Sequence, residues 1–306
     1  MDVISNATLH RYPPPLSTQS QTTCIHFMSH PLLDGDSDPE DILSTSLEGL
    51  YGYAPIMHSS AGKDFTYTSK SLSWSDSDPL MVTVRTPDTQ AANWSLHASA
   101  VWVSSLYLAD HLDDLHLDLY NNNPPGNIVH ILELGAGAGL PSILIAKTCP
   151  HIHVTVSDFP DIHLIRTLSD NVQNNRVSDR CRVVPYAWGS DVAALTQRPF
   201  DVIVACDTLW NPDLHDIFID TLCMLLKKVS DARIHLVAGL HTGRYTLQAF
   251  MDTARNAGLD ICRAREREVT GSIQREWCVS RAETESERER RRWVVWMTLA
   301  WPQGGL

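Results

Sequence analysis

The segment Glu133-Leu-Gly-Ala-Gly-Ala-Gly-Leu-Pro141 sets three glycines between the apolar run Ile128 to Leu132 and the helix-like Ser142 to Lys147. It therefore reads as a turn from strand to helix. Without a Cβ at Gly135, Gly137 and Gly139 the backbone can turn tightly and come close to a ligand. The helix N-terminus beyond it offers unpaired N–H groups and the positive end of a dipole. This is the chemistry of a nucleotide-type cofactor site. A glycine turn that only permits close strand-helix packing is the competing reading.

Spacing narrows the ligand. A dinucleotide fingerprint, G-x-G-x-x-G, needs its third glycine at position 140, which is Leu140, and the pattern here is G-x-G-x-G. Asp158 closes the next apolar stretch, Ile152 to Val156, 23 residues after Gly135. A carboxylate there can accept hydrogen bonds from both ribose hydroxyls. Glu133 and Asp158 are read together as cofactor recognition. A ligand with an adenosine and no pyrophosphate fits best, and S-adenosylmethionine is the expected one. Asp207 ends a further apolar run, Asp201 to Cys206, and the carboxyl ends of strands in open α/β sheets are where ligands bind, so it is expected to point into the same site.

The elements that must hold these residues follow from periodicity. From Ser99 to Leu112 apolar residues recur at helical steps until Asn121-Asn-Asn-Pro-Pro-Gly126 breaks the chain. Thereafter the pattern alternates: strand 128 to 134, helix 140 to 148, strand 152 to 157, helix 161 to 174, strands 181 to 186 and 200 to 206, helix 213 to 228, strand 233 to 239, helix 244 to 258. Leu259 to Ser280 and Arg292 to Trp301 read as two long strands of a closing hairpin around the charged run Glu283 to Arg291, itself taken as a solvated connection. The expected fold is α/β, a doubly wound, seven-stranded, mainly parallel sheet with an antiparallel C-terminal hairpin. Residues 1–90 form an N-terminal extension, proline-interrupted and largely irregular, with a strand at Leu80 to Arg85 pairing with a ribbon near Phe65 to Thr68. Residues 91–306 are the main domain.

Composition excludes several classes. The chain has 306 residues, 43% apolar and 20% charged, the proportions of a globular protein. No apolar run reaches the length of a membrane span, and the N-terminus lacks a secretory signal, so the expected compartment is the cytoplasm. A net charge of −12 argues against general nucleic-acid binding, which needs clustered Lys and Arg, and favours a basic protein or a small molecule as partner. The seven cysteines form no C-x-x-C pair and the fourteen histidines no ligand cluster, so reduced thiols and no metal are expected.

Five segments together resemble the seven-β-strand family 16 protein methyltransferases, especially the fungal branch that carries the nicotinamide N-methyltransferase-like label and includes elongation factor 1-alpha lysine methyltransferases. They are Glu48-Gly-Leu-Tyr51, Trp102, Glu133 to Pro141, Ser157-Asp-Phe-Pro160, and Tyr186-Ala-Trp-Gly-Ser190 followed by Asp207-Thr-Leu-Trp-Asn211. The resemblance runs from about residue 48 to the C-terminus and is strongest between 128 and 215. It implies that Trp188 lies against the adenine, where an aromatic face gains stacking energy, and that Trp102 covers the methionine part, where it gains a cation–π contribution. Core packing is the alternative for both.

The same likeness makes Asp207 the first residue of an acidic-x-x-aromatic motif between cofactor and substrate amine. Trp210 stands where the family has Tyr or Phe, which puts the acceptor channel rather than the cofactor in question. Asn211 and His215 line the entrance in the fungal pattern; a cap and a surface histidine are equally consistent readings. Three functions are open: methylation of a lysine or N-terminal amine of a protein such as a translation elongation factor, methylation of a small amine such as nicotinamide, or a non-catalytic subunit of the same fold.

Overall fold

A computed structural model describes residues 53–73, 79–122, 128–195 and 198–303. The Glu48 to Tyr51 segment and most of the N-terminal extension lie outside these. Two strands open the described part, β1 (Asp64–Ser73) and β2 (Pro79–Arg85), paired antiparallel with Phe65 opposite Val84. Leu80, Val82 and Val84 alternate with the exposed Met81, Thr83 and Arg85, which buries one face of this ribbon.

The main sheet holds β3 (Val129–Leu134), β4 (Ile152–Asp158), β5 (Cys181–Pro185), β6 (Val202–Cys206), β7 (Arg233–Gly239), β8 (Asp260–Glu268), β9 (Gln274–Glu276) and β10 (Trp293–Ala300). Its spatial order is β5-β4-β3-β6-β7-β10-β8-β9. The first five are parallel, and β10 enters antiparallel between β7 and β8, with Val295 opposite Ala238 and Glu266. The sheet has eight strands rather than seven. The long strand expected over Leu259 to Ser280 breaks at the turn containing Gly271, where a Cβ would lie 2.0 Å from Glu268 Oε2, and the chain returns as β9.

Strand residues alternate between two cores. Ile131, Val154, Val204 and Val237 pack with the ribbon and with α1 (Val103–Asp110), α2 (Leu140–Thr148) and α3 (Ile162–Asn174). Leu132, Leu134, Ile203 and Leu236 face α4 (His215–Leu225) and α5 (Arg244–Asn256). Burial on both faces explains why Ile, Val and Leu recur through the parallel strands. Among the described residues no helix is long and apolar enough to cross a membrane.

Two helices are shorter than their periodicity predicts. The one expected from Ser99 begins at Val103, with Trp102 as its extended N-cap and in an antiparallel bridge to Met57. Helix α4 stops at Leu225 because Leu226 bridges to Phe200 beside the sheet. The charged run before β10 does more than face solvent. Its Glu285 joins Glu266 around the fully buried guanidinium of Arg244, with N···O distances of 2.8 and 2.6 Å, and this network ties the C-terminal strands to α5.

Candidate active site

The glycine turn forms as its sequence requires. Glu133, near the end of β3, is fully buried, and its Oε2 accepts a hydrogen bond from Ser142 N–H in the first turn of α2 at 3.1 Å. Gly135 has φ +66°, and a Cβ there would lie 2.7 Å from Thr208 Cγ2 and 3.6 Å from the Trp188 ring. Gly139 has φ +79° at the N-cap of α2, and its Cβ would meet Leu168 at 2.5 Å. The first of these keeps space open between strand ends; the third seats the helix.

Above the turn is a cavity of about 420 Å³ at the carboxyl ends of β3, β4 and β6. Trp102, Glu133, Gly135, Gly137, Asp158, Trp188, Asp207 and Trp210 all line it; Gly139 and Asn211 do not. Asp158 accepts from Gly137 N–H at 2.7 Å and from Phe159 N–H at 2.6 Å, while burial pushes its carboxyl up to about 6. Burial likewise raises Glu133 to about 7, against the Ser142 N–H that favours the charged form. Trp188 packs against Phe218, ring centroids 4.3 Å apart, with its edge over Gly135.

Asp207 follows β6 with φ +52°, a conformation that Asp tolerates better than most side chains. Its Oδ1 accepts from Gly239 N–H at 2.6 Å and its Oδ2 from Ser104 N–H at 3.3 Å. The carboxylate therefore caps α1, and so holds Trp102 at the cavity. Asn211 is itself a cap, its Oδ1 accepting from Asp213 N–H, and His215 is buried, with Nε2 3.0 Å from Leu209 O.

Two histidines went unnoticed in the sequence. His241 stacks on Trp102 at 5.7 Å and 17°, and His97 stands edge-on to both Trp102 and Trp210, at 6.3 and 4.8 Å. His241 lies two residues past the end of β7, where the carboxyl-end rule would have found it. His97 has no local signal, since the chain before α1 brings it there.

The cavity fits an adenosyl sulfonium. Its volume is that of a small-molecule site, and it offers two carboxylates for hydroxyl and ammonium groups, a tryptophan face for a purine, and a glycine cradle. The buried Thr208 Oγ1 in its wall has no partner among the described residues.

This fold and this site define a methyltransferase that uses S-adenosylmethionine. Residues 89–256, more than half of the chain, match the family described as lysine methyltransferase. The chain belongs to that family, as the motifs implied. It is 28% identical over 186 residues to the Schizosaccharomyces pombe "Protein N-terminal and lysine N-methyltransferase efm7", covering 58% of this chain and 70% of that protein. The Candida glabrata protein of the same name is 31% identical over 134 residues, covering 41% and 49%. The Rattus norvegicus "Histone-arginine methyltransferase METTL23" is 29% identical over 153 residues, covering 49% and 62%. The matches thus span from about half to 70% of these relatives' lengths.

Proposed function

We propose that the chain methylates a lysine or N-terminal amine of a protein in the cytoplasm, with a translation elongation factor as the acceptor that the family resemblance implies. The observation that carries this reading is the opening of the cavity. Asp207 lies in its wall, and Trp210, 37% exposed, brings the same wall to the surface, where an amine on a larger molecule can enter. The names of the fungal relatives support an amine on a protein.

S-adenosylmethionine, when bound, supplies a methyl group activated by its positive sulfur. Glu133, Asp158 and Trp188 would hold the nucleoside part, and Trp102 the methionine end. The remaining work of this chain is to position a neutral amine in line with that methyl group. Exclusion of water from a channel walled by Trp102, His97 and Trp210 would penalise an ammonium by desolvation and so favour loss of its proton. Asp207 holds the start of α1, and with it Trp102, through Ser104 N–H, and the end of β7 through Gly239 N–H.

The test uses purified protein, methyl-labelled S-adenosylmethionine and either cell lysate or nicotinamide. A labelled protein band is the expected result. Label confined to the small-molecule fraction would favour the nicotinamide reading, and no calorimetric affinity for S-adenosylmethionine would favour a non-catalytic subunit.

A further inference from the structure

Building on the amine methyltransferase reading, we infer that His241 is the catalytic residue that takes the proton from the acceptor ammonium, with Asp207 beside it across Gly239. Both oxygens of Asp207 already accept backbone hydrogen bonds, from Gly239 and Ser104. A proton placed on either would compete with a bond that holds the β7 end or the first turn of α1. His241 is differently situated. Neither of its ring nitrogens makes a hydrogen bond among the described residues, and the half-exposed ring lines the same cavity.

The two side chains share one small space. A Cβ on Gly239 would stand 2.3 Å from His241 Nδ1 and 3.2 Å from Asp207 Oδ1, so glycine is what allows both to sit there. The imidazole is further fixed by parallel stacking on Trp102. An imidazole in this position can accept a proton at either free ring nitrogen and pass it to water at the cavity mouth.

Other ionisable groups around it leave that arrangement intact. Glu133 and Asp158 line the cavity, and His97 lies across Trp102. The short helix Glu287–Arg290, with two acids and two bases, packs on the segment carrying His241, and Arg244 of the neighbouring α5 is neutralised by Glu266 and Glu285.

The step balances. An N–H bond of the ammonium breaks, its proton goes to a ring nitrogen of His241, and the electron pair stays on the amine. That pair forms the new bond to the methyl carbon while the electrons of the carbon–sulfur bond pass to sulfur. The imidazolium then returns its proton to water.

The test measures label transfer from methyl-labelled S-adenosylmethionine to lysate protein as a function of pH, for the wild type, His241→Gln and His241→Ala. Calorimetry with S-adenosylhomocysteine checks that each variant is folded and keeps the nucleoside site. The expected result is wild-type affinity with transfer about 10²-fold slower at neutral pH, the usual scale for a lost proton acceptor. The deficit closes toward about pH 10, where a free amine loses its proton unaided. Added imidazole restores part of the His241→Ala rate. A deficit equal at every pH with no rescue, or no deficit, overturns the assignment to His241. A wild type that transfers no label overturns the amine methyltransferase reading beneath it.

Discussion

Asp207 Oδ2 accepts a hydrogen bond from Ser104 N–H at 3.3 Å, so the carboxylate at the end of β6 caps the helix that begins just after Trp102. One acidic side chain thereby links the amine side of the cavity to the aromatic ring expected over the methionine part. Asp207→Ala removes this cap and leaves alanine at φ +52°, and each effect costs about 1 kcal/mol or more. The variant should melt at a lower temperature, transfer methyl groups about 10²-fold more slowly because the site is misplaced, and bind S-adenosylmethionine more weakly. Thermal melts, calorimetry and single-turnover rates would show whether the three losses occur together; unchanged cofactor affinity would remove the link to Trp102.

A stacking face for the purine is the role proposed for Trp188. Trp188→Ala should weaken S-adenosylhomocysteine by about tenfold or more, while Trp188→Phe retains most of the stacking. Equal affinities for the two variants in calorimetry would assign Trp188 to packing against Phe218 alone.

The first two glycines of the turn should differ. Gly135→Ala combines φ +66° with a 2.7 Å clash against Thr208 Cγ2, whereas a Cβ on Gly137 meets only Ala98 O at 3.7 Å. Both pay for the left-handed conformation, about 1–2 kcal/mol, but Gly135→Ala alone should also displace Thr208. Cofactor titration should find Gly135→Ala the more damaging.

Burial holds Glu133 at about 7 against an ordinary 4.5, and Asp158 at about 6 against 3.8. The folded state therefore holds these protons more tightly than the unfolded chain. Their stabilising contribution is fully present below about pH 4 and is lost as pH rises to about 7. At about 1.4 kcal/mol per pKa unit, Glu133 alone accounts for up to about 3 kcal/mol. Glu133→Gln should be more stable than the wild type at about pH 8 and nearly equal to it at about pH 4.5, without ligand. Denaturant melts at the two pH values check the sign.

Arg244 is buried with Glu266 and Glu285. Arg244→Met leaves acidic groups in the core with fewer partners, and such a loss costs about 3–5 kcal/mol. A change below about 1 kcal/mol in a denaturant melt would show that Arg275 and Arg281, which also reach Glu266, suffice.

Much of the molecule was legible because its signals are local. The sharp boundaries at Leu140–Thr148 and Arg233–Gly239 follow from a glycine turn and from a β-propensity stretch, Ile234 to Ala238, interrupted only by His235. The break of the last long strand was missed because β propensity continues on both sides of Gly271, and the β8–β9 pairing that closes the turn, Arg267 opposite Gln274, leaves no local signal. Trp102 fell outside its predicted helix because periodicity registers the apolar spacing of a helix but not its capping partner, here a carboxylate 105 positions along the chain.

By itself the sequence determined the parallel sheet, the glycine turn and the kind of cofactor, since strand burial, backbone freedom and motif spacing are properties of neighbouring residues. Tertiary structure alone decided that Asp207 caps the helix after Trp102, that His97 and His241 join two tryptophans at one opening, and that Asn211 serves as a cap outside the cavity. Those relationships depend on where separate strand ends meet in space, and side chains from distant segments acquire a shared chemistry only when the sheet has brought them together.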